Sequence, residues 1–155
     1  MKKLISILIL SVISLSVLTS CSAGKEYVIV TDSGFEPYCY TDGSGNAVGF
    51  DVDLINEIAD IANIKIKVIP ISLTDAFEAL DNKDADAIIA ALTPTEEFMV
   101  KYDFSDEYFN GYALAVRKGE NDALLKKFNS ALTNIKESGF IDELCDKYAL
   151  GEKYE

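Results

Sequence analysis

The sequence has no histidine and no tryptophan, and Arg117 is its only arginine. Without histidine there is no imidazole to activate a serine or cysteine nucleophile, and the cysteines stand at no zinc-ligand spacing. Neither an enzyme nor a resident metal or cofactor is expected. Basic residues are outnumbered, with 14 Lys and Arg against 26 Asp and Glu, for a net charge of −12. That balance excludes nucleic acid as a partner, because binding phosphates requires a basic surface. It also weighs against anionic lipid headgroups as a docking surface. Cysteine is confined to Cys21, Cys39 and Cys145. An oxidising compartment permits Cys39 and Cys145 to pair, but two such residues serve equally well as small core thiols. No internal repeat occurs, and no low-complexity segment beyond the N-terminal apolar run.

That run is the first positive feature. Met1-Lys2-Lys3 precedes mostly apolar residues from Leu4 to Leu18, and Thr19-Ser20-Cys21 follows. A short basic start with an apolar stretch of this length has the profile of a signal peptide. It falls short of the roughly twenty residues a spanning helix needs. Leu18-Thr19-Ser20-Cys21 resembles a bacterial lipobox, which implies cleavage before Cys21 and a lipid attached to it. The expected organisation is a lipoprotein signal peptide over residues 1–20 and a lipid-anchored tether over 21–26. The remainder is then extracytoplasmic, on the bacterial cell membrane. An uncleaved N-terminal anchor is the alternative, and it leaves the remainder outside the cytoplasm as well. Removal of residues 1–20 from 155 leaves 135, and the loss of Lys2 and Lys3 takes the net charge to −14. A chain of that size holds one domain with its own core.

Along that domain, Tyr27–Thr31 is a continuous β-prone run, as suits a strand buried on both faces. Turn formers at 41–46 between two short β-prone stretches predict a hairpin. Asp51 is placed to cap a helix whose apolar stripe is Leu54, Ile55, Ile58, Ile61 and Ala62. A strand is expected over Ile64–Ile71, and then a short helix starting at Ser72–Asp75 with Ala76, Phe77 and Leu80 inward. A third strand is expected over Ala87–Leu92. Strand–helix–strand–helix–strand over residues 27–92 is the pattern of βαβ units. Such sheets bind ligands at the carboxyl ends of their strands, so the loops 32–38, 72–75 and 93–98 are the functional candidates. After a loop at 104–106, a fourth strand (Gly111–Arg117), a long amphipathic helix (Asn121–Ser138) closed by Gly139 and a last helix complete the domain. A short tail over 151–155 follows.

Several strings then stand together in order: Thr31-Asp32-x-x-Phe35-x-Pro37-Tyr38, Gly49-Phe50-Asp51-Val52-Asp53-Leu54, Asp86-Ala87-Ile88-Ile89-Ala90, Thr93-x-Thr95-x-Glu97 and Asp103-Phe104-Ser105. With Tyr112–Gly119 and the helices after it, they resemble the periplasmic solute-binding proteins for polar amino acids, the receptors of ATP-binding-cassette importers. The resemblance implies an α/β fold, a single periplasmic-binding-protein-like lobe over 27–150 with a mostly parallel sheet flanked by helices. Two departures accompany it. The family has two lobes joined by hinge strands, yet here Phe104–Phe109 runs almost directly into the closing segment, as though the hinge strands were fused and the second lobe absent. The family also has an arginine three residues after the second threonine of Thr-x-Thr, forking onto the ligand carboxylate in a contact worth about 1.5–3 kcal/mol. That position is Phe98.

The resemblance places Phe35 and Leu73 against the ligand side chain, Asp32 beside a cationic ligand or in the pocket wall, and the Ala91 carbonyl near an ammonium group. It places Thr93, Thr95 and Phe98 at the ligand carboxylate. Each has a structural alternative: core packing for Phe35 and Leu73, strand-end capping for Asp32. For Thr93-Pro94-Thr95-Glu96 the alternative is an ordinary capping box with proline at the first helical position. Lys101, one turn beyond Phe98, either substitutes a point charge for the arginine or is simply solvated. Asp51 and Asp53 read as helix-start residues. The expectation is a lipid-anchored binding component of an amino-acid importer, weak or defective in binding a small polar amino acid, with an ABC permease as partner. The alternative is an interaction module that forms a homodimer or pairs with another binding protein or permease.

Overall fold

The computed structural model describes residues 24–151; the apolar run, Cys21 and residues 152–155 lie outside them. The chain opens with β1 (Glu26–Asp32), followed by β2 (Gly34–Phe35), β3 (Cys39–Thr41) and β4 (Ala47–Val48). Then come α1 (Phe50–Ile61), β5 (Lys65–Ile71), α2 (Leu73–Asp81), β6 (Ala87–Ile88) and α3 (Glu96–Lys101). β7 (Tyr102–Phe104), β8 (Ala115–Arg117), α4 (Asp122–Ser138) and α5 (Phe140–Lys147) complete it. The main sheet has the order β5-β1-β6-β8-β7, and β2, β3 and β4 form a small antiparallel sheet.

The main sheet is mixed. β5, β1 and β6 run parallel, whereas β8 is antiparallel to both of its neighbours. β1 is central among the parallel strands, and its continuous apolar run follows from burial on both faces. Ile29, Ala87, Ile89 and Val116 face a core built with α1, α4 and α5, while Val30, Ile88 and Ala115 face a second core with α2. The result is a three-layer sandwich whose two cores are separated by the sheet. β5 is an edge strand, and its exposed Lys65 and Lys67 blunt that edge against pairing.

Local chemistry explains most boundaries. Ser72 caps α2, its hydroxyl oxygen accepting from the Asp75 N–H. Gly139 stops α4 in a left-handed conformation at φ 80, as a terminal glycine does. Other expectations are corrected. Asp51 caps nothing: Gly49 occupies the N-cap of α1, and Asp51 is buried in the first turn. α3 is capped by Thr95, not Thr93, so Pro94 lies outside the helix. The strand expected over 87–92 ends at Ile88, because Ala91 turns left-handed at φ 46. The expected 104–106 loop begins with the end of β7, and the strand expected from Gly111 starts at Ala115.

Residues 105–114 join β7 to β8 as a small hairpin. Asn110 and Gly111 both have positive φ, 47 and 79, the signature of a tight hairpin turn. The Tyr108 N–H donates to the Tyr112 carbonyl at 2.8 Å, and Tyr108 and Phe109 are buried in the α1-side core. Cys39 and Cys145 are buried in different cores and form no disulfide with each other.

Candidate functional site

The three candidate loops meet at the carboxyl edge of the parallel strands. Asp32 and Ile71 are register partners at the ends of β1 and β5, and the Ser33 N–H donates to the Ile71 carbonyl at 2.9 Å. The loop after β6 is tied to the same edge. The Ile89 N–H donates to the Val30 carbonyl at 3.1 Å, and the buried Thr31 hydroxyl donates to the Ile89 carbonyl at 2.6 Å. This is where an open α/β sheet receives a ligand.

Asp32 ends β1, and its carboxylate accepts from the Gly34 N–H at 3.1 Å, which fixes the turn into β2. Phe35 is 44% exposed, a high value for an aromatic side chain. Its ring stacks on Tyr38 at 5.4 Å, and Tyr38 meets Tyr112 edge-on at 5.4 Å. The exposed ring therefore rests on an aromatic chain that ends in the 105–114 hairpin. Leu73, the first residue of α2, is half-buried against the α2-side core. Thr93 and Thr95 are exposed, and the Thr95 hydroxyl oxygen accepts from the Phe98 N–H at 3.3 Å.

Phe98 stands apart from this group. Its ring stacks on Phe77 at 4.9 Å and 12°, with Tyr102 at 6.4 Å. Together with Thr74 and Lys101 these aromatics line a shallow groove of about 300 Å³ between α2 and α3. Lys101 thus shares a face with Phe98. The single arginine is engaged elsewhere: Arg117 donates to the Leu80 carbonyl at 3.0 Å and also to that of Ala85, where α2 leads into β6. No guanidinium is available at the candidate loops.

The residue that organises the site is Asp51, which sequence reasoning assigned to the helix start. It is fully buried. One carboxylate oxygen accepts from the Ala91 N–H at 2.6 Å, the other from the Tyr108 hydroxyl at 2.9 Å. The Cys39 thiol is a third hydrogen-bond partner. Asp51 therefore ties the left-handed Ala91 turn to the hairpin and to β3. Burial raises its carboxyl to about 7, against hydrogen bonds from Tyr108, Ala91 and Cys39 that lower it. Burial, reinforced by the Asp51 charge, pushes Cys39 up to about 12. Tyr108 is raised well above the ordinary tyrosine value by the same two causes, burial first.

Gly49 makes this placement of Asp51 feasible. At φ 125 it adopts a backbone that side chains disfavour, and a Cβ there would lie 2.4 Å from the Tyr38 carbonyl oxygen. The close approach lets the Asp51 N–H donate to that same oxygen at 2.9 Å. The glycine and the aspartate of Gly49-Phe50-Asp51 thus serve one local arrangement.

Residues 27–152 match the family model described as bacterial extracellular solute-binding proteins, family 3. The chain belongs to this family. Among relatives of this family 3 protein, a probable histidine-binding protein of Neisseria gonorrhoeae is 36% identical over 114 residues, covering 71% of this chain and 42% of its own. The arginine-binding extracellular protein ArtP of Bacillus subtilis is 31% identical over 129 residues, covering 78% and 50% respectively. The chain spans about half the length of the curated relatives it matches. Among solved structures, the arginine-bound form of domain 1 from TmArgBP is 36% identical, with a TM-score of 0.64 over 70% of this chain and 92% of that one. The open substrate-binding domain 2 of Lactococcus lactis GlnP shares the fold at 18% identity, with a TM-score of 0.76 over 81% and 96%. These relatives and neighbours are binding proteins or domains of binding proteins. Among the described residues no helix is long and apolar enough to cross a membrane.

Proposed function

We propose that this protein is the lipid-anchored receptor of an amino-acid ABC importer, reduced to one lobe, with a one-walled site for a polar amino acid. The convergence of Phe35, Leu73 and the Asp51-held Ala91 turn at one sheet edge carries the reading. Phe35 and Leu73 offer apolar contact to the ligand side chain, Asp32 a negative charge, and Ala91, Thr93 and Thr95 polar contact to its amino and carboxyl groups. The carboxylate of the half-buried Asp32 favours a cationic side chain. Arginine is accordingly the first ligand to test, and the arginine-bound form of an isolated domain 1 supports a single lobe as sufficient to hold it.

The reduction to one lobe is supported by the short 105–114 connection between β7 and β8. It sets the strength of binding. A clamped ligand loses most of its surface to the protein, and one wall removes about half. If a two-lobed receptor binds near micromolar, at about −8 kcal/mol, half the contacts leave roughly −4, in the millimolar range. The phenyl group at position 98 adds no carboxylate fork. Titration calorimetry with arginine, histidine and glutamine tests this, and an affinity tighter than about 10 μM would overturn the one-walled reading.

A lipid on Cys21 places the receptor on the membrane that holds its permease. The exposure of Phe35 at 44% and Val100 at 73% favours a second reading, in which the open face pairs with another copy or another binding protein.

A further inference from the structure

A cavity lined by three lysines lies at the end of the sheet opposite the ligand loops. It measures about 420 Å³, and Lys25, Tyr27, Asn63, Lys65 and Lys127 are among its lining residues. No carboxylate lines it. Three separate elements supply the lysines: the approach to β1, the start of β5, and α4. Other cations at this end are committed. Lys25 pairs with Asp86 at 2.7 Å, and Glu120 bridges Lys83 and Arg117 at 2.9 and 3.2 Å. Lys65 and Lys127 are exposed and form no ion pair among the described residues. Lys127 reaches only the Ala62 carbonyl, at 3.5 Å. Glu26, the register partner of Lys65, is exposed but outside the lining. Edge protection accounts for Lys65 on β5, but not for Lys127, which is on a helix.

The position of Cys21 gives the cavity a partner. Gly24, also in the lining, is three residues from Cys21, a span of about 11 Å at full extension. A lipid on Cys21 therefore holds the cavity at the level of the headgroups. From this we infer that the lysine cavity docks the phosphate of anionic lipid headgroups and orients the protein on its membrane. The inference rests on the lipid anchor proposed above. β1 runs seven residues from this end to Asp32, so docking would hold the ligand loops about 20 Å above the headgroups. The net charge of −14 after cleavage before Cys21, that is −12 less Lys2 and Lys3, argues against such a surface, but the tether removes the need for independent affinity. Each lysine near an anionic surface favours it by roughly fivefold, and a tethered contact needs no more than that to set an orientation.

The test uses the full chain, expressed in a lipidating bacterium and reconstituted into vesicles of phosphatidylcholine alone or with about 30% phosphatidylglycerol. Flotation and the mass of the N-terminal peptide report the lipid on Cys21. Brief amine-reactive labelling, read lysine by lysine by mass spectrometry, reports the docking. Lys65 and Lys127 should be protected about three- to tenfold on the anionic vesicles relative to the neutral ones. Lys136 and Lys147, towards the other end of the molecule, should label equally on both. Lys25, in the same lining, should be protected on the anionic vesicles in the natural protein, and the K65Q/K127Q variant should still float but label equally at Lys25 on both vesicle types. Equal labelling of Lys65 and Lys127 on the two vesicle types, with Cys21 lipidated, overturns the docking and leaves the anchor intact. A Cys21 without lipid overturns both.

Discussion

Replacing Asp51 by asparagine and by alanine separates two effects that a single substitution would merge. Alanine removes the acceptor of the Ala91 N–H and the Tyr108 hydroxyl, held at 2.6 and 2.9 Å. Each stranded donor costs about 1–3 kcal/mol, so D51A should lose roughly 3–5 kcal/mol, a large share of a typical domain's stability. Asparagine keeps the shape and one acceptor, and Tyr108 can rotate to accept from its amide. D51N also removes the ionisation that burial opposes. The Asp51 carboxyl stands at about 7 in the folded protein against an ordinary 3.8. The folded state thus favours the protonated form. Its stabilising contribution is fully present below about pH 4, declines as pH rises to about 7, and is level above that. The slope in that window is at most about 1.4 kcal/mol per pH unit, and D51N should lack it. Urea unfolding followed by tyrosine fluorescence at pH 4.5, 6 and 8, read as the difference between wild type and D51N, isolates this one group among 26 carboxylates. Parallel curves for the two proteins across that range would refute the raised carboxyl. A D51A protein within about 1 kcal/mol of wild type would refute the role of its hydrogen bonds.

Other substitutions test the neighbouring arrangements. G49A should cost about 2–4 kcal/mol in urea unfolding, since its Cβ meets the Tyr38 carbonyl and its φ disfavours a side chain. R117M should cost about 1.5–3 kcal/mol, because the Leu80 and Ala85 carbonyls lose a charged donor. F98R should reduce stability by about 1 kcal/mol through loss of the stack on Phe77. If its guanidinium turns to the ligand loops, arginine should bind about tenfold more tightly in calorimetry. Light scattering after size exclusion should give a dimer mass if the open face pairs with a second copy; a strict monomer counts against that second reading.

Long elements with a clear period were legible from the amino-acid order, and short ones governed by tertiary contact were not. β1 and α4 follow from an unbroken β-prone run and an amphipathic repeat with a terminal glycine. β7 has three residues, too few for any alternation to stand out, and exists because β8 pairs with it. The hairpin at 105–114 did carry a signal, the Asn110-Gly111 pair, which reads as a tight turn once a compact connection is considered. At α3 the capping-box spacing favours Thr93, with Glu96 three residues on, whereas Thr95 has Phe98 there and yet caps the helix, which starts at Glu96. The sheet edge that gathers Asp32, Phe35, Leu73 and the Ala91 turn was predictable from the βαβ order. Asp51 was not, because its partners Cys39, Ala91 and Tyr108 are distant in sequence and converge only after folding. A surface aspartate opening a helix is its ordinary reading, and nothing local contradicts that. The side-chain direction of Phe98 was equally hidden, since it depends on Phe77 across a groove.

The proposed function rests on the one-walled amino-acid site. Backbone amide shifts of the isotope-labelled protein, followed through an arginine titration into the millimolar range, test it residue by residue. The expected result is a saturating shift at Phe35, Leu73, Ala91, Thr93 and Thr95, with a dissociation constant of about 1 mM or weaker. Shifts absent from these loops, or confined to the Phe77–Phe98 groove, would contradict it.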